Sequence, residues 1–207
     1  MIQRLKNKFR ENEPIFIKEI LEEFNDYSRA RVFQIIKKFE EQKELIRFDT
    51  GIYYIPKKTR FGLSNISVEQ VIRKKYISYK NDVYGIYGGI TLKTNYLLSY
   101  QVPVTLEIIT NKETMWSREI KIKNRKIIIK KSRTEINNNN VFAYTILELF
   151  SDIDMIKYKE DESVQREIKE YIKENAIKGT DILNLSTYFP SKSLKNIIKG
   201  GLINDFA

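Results

Sequence analysis

Arg31, Gln34 and Lys38 stand at i, i+3 and i+7 in a stretch whose apolar residues repeat at helical spacing, so the three share one exposed helix face. The fork of Arg suits guanine, the amide of Gln suits adenine and the ammonium of Lys suits phosphate, which are the donors needed to read a major groove from a helix. Arg29 and Lys37 also lie off the apolar stripe. Two other groups invite a chemical reading. Asp152-Ile153-Asp154 has the D-x-D form that holds two metal ions in nucleotidyl transfer, and Tyr84-Gly85-Ile86-Tyr87-Gly88-Gly89 has glycines of the kind that cradle phosphate. Neither stands in the required setting. The aspartates end a helical pattern far beyond Gly88-Gly89, and no Lys-Ser or Lys-Thr closes the glycine segment. The glycines are read as close backbone packing and the aspartates as no metal site.

Composition narrows the function classes further. The 207 residues include no histidine and no cysteine, which removes the commonest general base, thiolate nucleophiles, disulfides and the usual zinc ligands. Carboxylate, lysine or tyrosine chemistry is what remains, and the expectation is a protein without catalysis or cofactor. A net charge of +10 favours a polyanionic partner. Ile, Lys and Asn are abundant in any protein encoded by an A/T-rich genome, the Asn137 to Asn140 run included, so the distribution of charge matters more than its sum. Residues 1–60 carry +4, residues 61–140 carry +8 and residues 141–207 carry −2.

No apolar stretch approaches the ~18 residues of a membrane span, and the start lacks a signal-peptide core, so a cytoplasmic protein without membrane contact is expected. The length fits one large domain or two small ones. Ile2, Leu5 and Phe9 form one helical stripe, and Ile17, Ile20, Leu21 and Phe24 a second that ends in the turn residues Asn25-Asp26-Tyr27. Ser28 then N-caps a third helix that buries Val32, Ile35, Ile36 and Phe39. Leu45 to Phe48, a turn at Asp49-Thr50-Gly51, and Ile52 to Ile55 make a hairpin with Lys57, Lys58 and Arg60 just beyond. Three helices and a basic-flanked hairpin predict a winged helix-turn-helix over residues 1–60. Ser28, Arg29, Arg31, Gln34, Lys37, Lys38, Tyr53, Lys57 and Lys58 are its expected DNA contacts.

The fold class expected is α+β, with residues 61–207 a second, mixed domain. Val104 to Thr110 alternates as a central strand. Arg118 to Arg133 holds eight Lys or Arg and one acid, and predicts a hairpin turning at Asn124-Arg125. Lys121, Lys123, Arg125, Lys126 and Lys130 would give it a cationic outer face, a possible secondary DNA contact or an edge protected from aggregation. Residues 141–207 read as helical. Val141 to Met155 buries Phe142, Ile146, Leu147 and Phe150, Glu162 to Ala176 buries Val164, Ile168 and Ile172, and Ser191 caps a last helix ended by Gly200-Gly201.

The order of parts, with Gly51-Ile52-Tyr53-Tyr54 closing the first domain and Gly85-Ile86-Tyr87-Gly88-Gly89 leading to Asn95-Tyr96-Leu97-Leu98, resembles the AbiEi-type antitoxins. Gln101-Val102-Pro103 followed by Glu107-Ile108-Ile109-Thr110-Asn111 is similar to the motif of a related bacterial family of the same layout, and the resemblance covers most of the chain, including Tyr188-Phe189-Pro190. The resemblance implies a type IV toxin–antitoxin or abortive-infection (phage-defence) role. Its winged helix would repress its own operon by binding inverted repeats in promoter DNA. Its second domain would oppose a nucleotidyltransferase toxin without forming a stable complex. The alternative, from the residues alone, is a winged-helix module that docks a protein partner without sequence-specific DNA binding.

Overall fold

The structure is a computed structural model that describes residues 1–96 and 103–206. Leu97-Leu98 and Gln101-Val102 of the motifs above lie outside the described residues. The fold is α+β, as the sequence predicts, and the chain divides into two compact units, Met1–Lys74 and Lys75–Ala207. The expected boundary at residue 60 moves because residues 61–74 are tied into the first unit. Lys74 is buried and donates to the Pro14 carbonyl at 2.7 Å, while its ammonium lies 2.8 Å from Glu13 and 2.9 Å from Glu19.

In the first unit, α1 (Ile2–Lys8) leads to β1 (Ile15–Phe16), α2 (Ile17–Glu23) and α3 (Arg29–Glu41), followed by β2 (Ile46–Asp49) and β3 (Ile52–Tyr54). The sheet has the order β1-β3-β2, antiparallel throughout. Helical stripes and strands close on one core, with Leu5, Ile20, Val32, Ile36, Leu45 and Ile55 almost wholly buried. Each such side chain contributes roughly 1.5–3 kcal/mol of burial. A separate two-stranded hairpin, β4 (Lys58–Thr59) and β5 (Gly62–Leu63), follows, then the short α4 (Val68–Ile72). Ser67 and Gln70 close a capping box on α4.

The second unit opens with a two-stranded pair, β6 (Ser78–Tyr79) and β7 (Asp82–Val83), then β8 (Gly85–Tyr87) and α5 (Gly89–Asn95). With β9 (Thr105–Thr110), β10 (Ser117–Ile122) and β11 (Arg125–Lys131), β8 builds a four-stranded sheet of order β10-β11-β9-β8. β9 is internal, as its alternation predicts, and β11 runs parallel to it. The hairpin turn falls on Lys123-Asn124, one residue earlier than expected, with Lys123 at φ +48°.

The helical end consists of α6 (Val141–Ser151), α7 (Met155–Glu160), α8 (Glu162–Glu174), α9 (Gly179–Ser186) and α10 (Ser191–Lys199). α6 is its axis and buries Ile146, Leu147 and Phe150 against Ile86, Leu92 and Ile109 and against the later helices. Two sequence expectations are corrected. Phe142 is 39% exposed rather than buried, because Ala143 and Tyr144 take the core-facing positions of the first turn. Pro190, not Ser191, occupies the cap of α10, where fixed φ suits an entry to helix.

The glycines of the 85–89 segment serve packing, as expected. A Cβ on Gly85 would sit 2.1 Å from the Tyr76 carbonyl oxygen, and one on Gly89 2.8 Å from the Glu107 carboxylate. Glu107 is in turn 2.6 Å from Lys130, and Arg133 is 3.3 Å from Glu148. Burial pushes the Glu148 carboxyl above its ordinary value, and the neighbouring Arg133 offsets this in part.

Two tests follow from these contacts. Gly85→Ala forces a methyl against two backbone carbonyls and should destabilise the fold by about 3 kcal/mol, measured as a lowered urea midpoint. Because the folded state holds the Glu148 proton more tightly than the unfolded chain, the contribution of Glu148 to stability falls as pH rises from about 4.5 through the raised value. Glu148→Gln lacks that proton, so the stability difference, wild type minus variant, should shrink or turn negative between pH 4 and pH 7. A difference independent of pH would contradict the assignment.

Candidate nucleic-acid interface

α3 is positioned from both ends. The Ser28 hydroxyl accepts from the Arg31 N–H at 3.3 Å and caps the helix as predicted. The turn before it is cemented to α1, where Arg4 lies 2.7 Å from Glu23 and 2.9 Å from Asp26, and Lys8 lies 2.9 Å from Glu23. Lys8, and then Arg4, hold the Glu23 carboxyl below the usual carboxylate range. Val32, Ile35, Ile36 and Phe39 are buried as expected, so the opposite side of the helix is solvent-facing.

That side carries Arg29, Arg31, Gln34, Lys37 and Lys38, all exposed. They form two rows rather than one patch. The Arg31 guanidinium donates to the Gln34 amide oxygen at 3.0 Å, and with Lys38 and Gln42 these residues wall a groove of about 390 Å³. Arg29 lies over the ring of Phe33 at 5.8 Å, and Lys37 follows one turn further along that second row. Phe33 is 41% exposed and was not singled out by pattern, since its neighbours on the row are charged.

The expected wing is corrected in two respects. Tyr53 is only 6% exposed because β3 is the central strand of its sheet, with β1 on one side and β2 on the other, so it cannot face DNA. Burial pushes its phenol pKa up. The turn between β2 and β3 is not free either. Gly51, at φ +69°, accepts from the Ile17 N–H, and a Cβ there would sit 3.3 Å from the Ile17 side chain.

Lys57 and Lys58 are exposed, but they belong to the following hairpin, which places Arg60 and Phe61 at its tip. Its base is tied to the core. Lys57 N–H donates to the Ser64 hydroxyl at 2.8 Å, Ser64 N–H donates back to the Lys57 carbonyl, and the Tyr54 hydroxyl donates to the Ser64 carbonyl at 3.1 Å. Ser64 also donates to Asn12. A second groove, of about 710 Å³, has Gln42 and Lys43 in one wall and Lys57, Lys58 and Leu63 in another. Gln42 and Glu44 border both grooves, so the face of α3 and the hairpin form one continuous surface.

The hairpin of β10 and β11 is less cationic than its composition suggests. Register puts Glu119 and Glu107 on the face that carries Lys121, Lys126 and Lys130. Lys126 lies 3.4 Å from Glu119 and Lys130 2.6 Å from Glu107. Arg125 donates to the Pro103 carbonyl at 3.2 Å, while Lys121 and Lys123 are exposed. The outer face is therefore of mixed charge.

The aspartate pair is used locally. Asp154 caps α7 by accepting from the Ile156 N–H at 3.0 Å, and Asp152 lies 2.5 Å from Lys93. Among the described residues no three His, Cys, Asp or Glu side chains are grouped to hold a metal, and no helix is long and apolar enough to cross a membrane.

Residues 3–180 match the model of a family described as one of unknown function, DUF6088. No curated protein matches the chain.

Ser28→Ala should lower stability by about 1 kcal/mol, because the cap is lost while the buried stripe of α3 remains. Ser28→Asp should restore most of it. Thermal unfolding of the three proteins gives the comparison, and equal midpoints for wild type and alanine variant would contradict the capping role.

Proposed function

We propose that this chain, which belongs to the DUF6088 family, is a sequence-specific DNA-binding repressor with an antitoxin-like second unit. The observation that carries the reading is the α3 face. Arg31, Gln34 and Lys38 are exposed on a capped helix, with Arg31 and Gln34 in hydrogen-bond contact, and α3 sits in the order α1-β1-α2-α3-β2-β3 that a winged helix has. Arg31 and Gln34 read base edges, Lys38, Lys37 and Arg29 hold phosphates, and Lys57 and Lys58 extend the phosphate contacts along the next hairpin. Lys121 and Lys123 are secondary contacts.

The partner is double-stranded promoter DNA carrying inverted repeats, and the repressed operon is the protein's own. The resemblance to AbiEi-type antitoxins supports a second role, opposing a nucleotidyltransferase toxin in phage defence without a stable complex. A cytoplasmic protein without catalysis fits both roles.

Fluorescence anisotropy on DNA from immediately upstream of the gene, against a scrambled duplex, tests the reading. Native DNA should bind roughly 10³-fold or more tightly. Arg31→Ala should cost about 1–3 kcal/mol on the native duplex alone. Lys57→Ala should weaken binding to both duplexes and reduce the salt slope by about one. Equal, weak binding to both duplexes, erased by salt, would overturn the repressor reading in favour of a protein-docking module. Antitoxin action is tested separately, by rescue of growth when the chain is co-expressed with a nucleotidyltransferase encoded beside it.

A further inference from the structure

Phe61 is 100% exposed, the most exposed large apolar side chain of the first unit, although Phe is among the residue types most often buried. It does not sit on a loose loop. Arg60 and Phe61 form a two-residue turn between Thr59 and Gly62, whose pairing closes the hairpin. The Thr59 hydroxyl donates to the Gly62 carbonyl at 2.8 Å and accepts from the Phe61 N–H at 3.2 Å, which fixes the ring's backbone. The base of the hairpin is bonded through Ser64 to Tyr54 and Asn12. The ring is thus held out into solvent on a preorganised arm.

The surroundings of the ring select its partner. Lys57, Lys58 and Arg60 flank it and no acidic residue occurs from residue 50 to residue 68, while Glu11 and Glu44 line the groove at the base of the hairpin beside Lys57 and Lys58. Like charge disfavours a second copy of the same tip, and nothing in the hairpin offers an acceptor for a basic protein. A polyanion with an apolar interior meets both demands, since phosphates take the cations and stacked bases take the ring. α3 has 13 residues and so is about 20 Å long, against a major groove about 12 Å wide. Entering the groove by its N-terminal residues, a helix of that length leaves its C-terminal end near the neighbouring phosphates. The base of the hairpin, at Lys57, Lys58 and Leu63, shares a groove with Gln42 and Lys43 at the C-terminal end of α3.

We propose that Phe61 is a DNA wedge: with α3 in the major groove, the ring enters the adjacent minor groove, unstacks one base step and kinks the duplex, while Lys57, Lys58 and Arg60 hold the flanking phosphates. This inference rests on the DNA-binding reading above and adds to it a deformation of the DNA. It also assigns a sequence preference that α3 does not read. Pyrimidine–purine steps unstack at least cost, so sites selected by the protein should carry TA or CA/TG beside the major-groove contacts.

The test uses the full chain and a duplex of about 30 base pairs, selected by the wild-type protein from a random pool and labelled at both ends for energy transfer. Wild-type protein should shorten the end-to-end distance. Phe61→Ala should bind about tenfold more weakly and leave the distance at that of the free duplex. Phe61→Trp should keep both affinity and bend, and both variants should melt with the wild type because the ring is exposed. A Phe61→Ala protein that bends DNA as the wild type does would overturn the wedge and leave the DNA-binding reading intact. If the wild-type chain enriches no duplex from the pool, the DNA-binding reading falls and the wedge with it.

Discussion

A lysine ammonium removed from water costs several kcal/mol unless it is paired, and the first unit is organised around one such group. Lys74 meets the Glu13 and Glu19 carboxylates and the Pro14 carbonyl, with the rings of Phe9 and Phe16 on its flanks at 5.2 and 5.7 Å. Those partners come from the chain after α1, from β1 and from the first turn of α2. Glu19 has a second task, since its other oxygen accepts from the Phe16 N–H at 2.7 Å. One carboxylate therefore joins the buried cation to the start of α2 and to the strand that pairs with β3. The direction of α2 sets where α3 packs, and so which way Arg31 and Gln34 face. A residue of the last helical turn in this unit orients a surface whose residues, Arg29 to Lys38, lie far earlier in the chain.

Periodic elements are legible in the sequence, the short α1 and α2 included, whereas the two-residue strands are not. Four positions of α3 and the three of α8, Val164, Ile168 and Ile172, are buried as their spacing demands, because three or four turns of helix give the stripe time to repeat. β1 and the hairpin of β4 and β5 have two residues per strand, too few for any period. Lys57 and Lys58 lie just beyond the hairpin of β2 and β3, as the sequence predicts, but the second hairpin that holds them, with Phe61 at its tip, is too short to leave a pattern. Tyr53 failed for a related reason. Three consecutive buried residues, Ile52, Tyr53 and Tyr54, mark a central strand covered on both faces, which alternation cannot reveal.

Register governs what charge composition cannot. Eight basic residues from Arg118 to Arg133 suggest a cationic ribbon, yet pairing brings Glu107 and Glu119 onto the same face, and Arg133 turns to Glu148. The parallel pairing of β9 and β11 is a long-range contact, invisible in either strand alone. The asparagine run carries information that composition disguised. The Asn138 side chain accepts from the Val83 N–H, and the Asn140 side chain accepts from the Asn137 N–H and donates to the Glu135 carbonyl. These bonds shape the entry to α6, so residues attributable to a biased genome are also structural.

The same accounting narrows where a polyanion can be held. A cation already paired with a carboxylate must break that pair before it can displace counterions, so Lys126 and Lys130 contribute less to the outer field than their number implies. In the first unit, Arg4, Lys8 and Lys74 are likewise engaged with Glu23, Asp26, Glu13 and Glu19. The internal pairs build the scaffold. The positive surface that remains includes the outer side of α3 and the acid-free stretch around Lys57, Lys58 and Arg60, beside the exposed Lys6, Arg10, Lys18, Lys43, Arg47 and Arg73. Those two elements border adjoining grooves, and both are rigidly based, one by its cap and buried stripe and the other by Ser64. A preorganised surface loses little entropy on binding, which is where discrimination between DNA sequences must come from once the phosphate contribution is common to all of them.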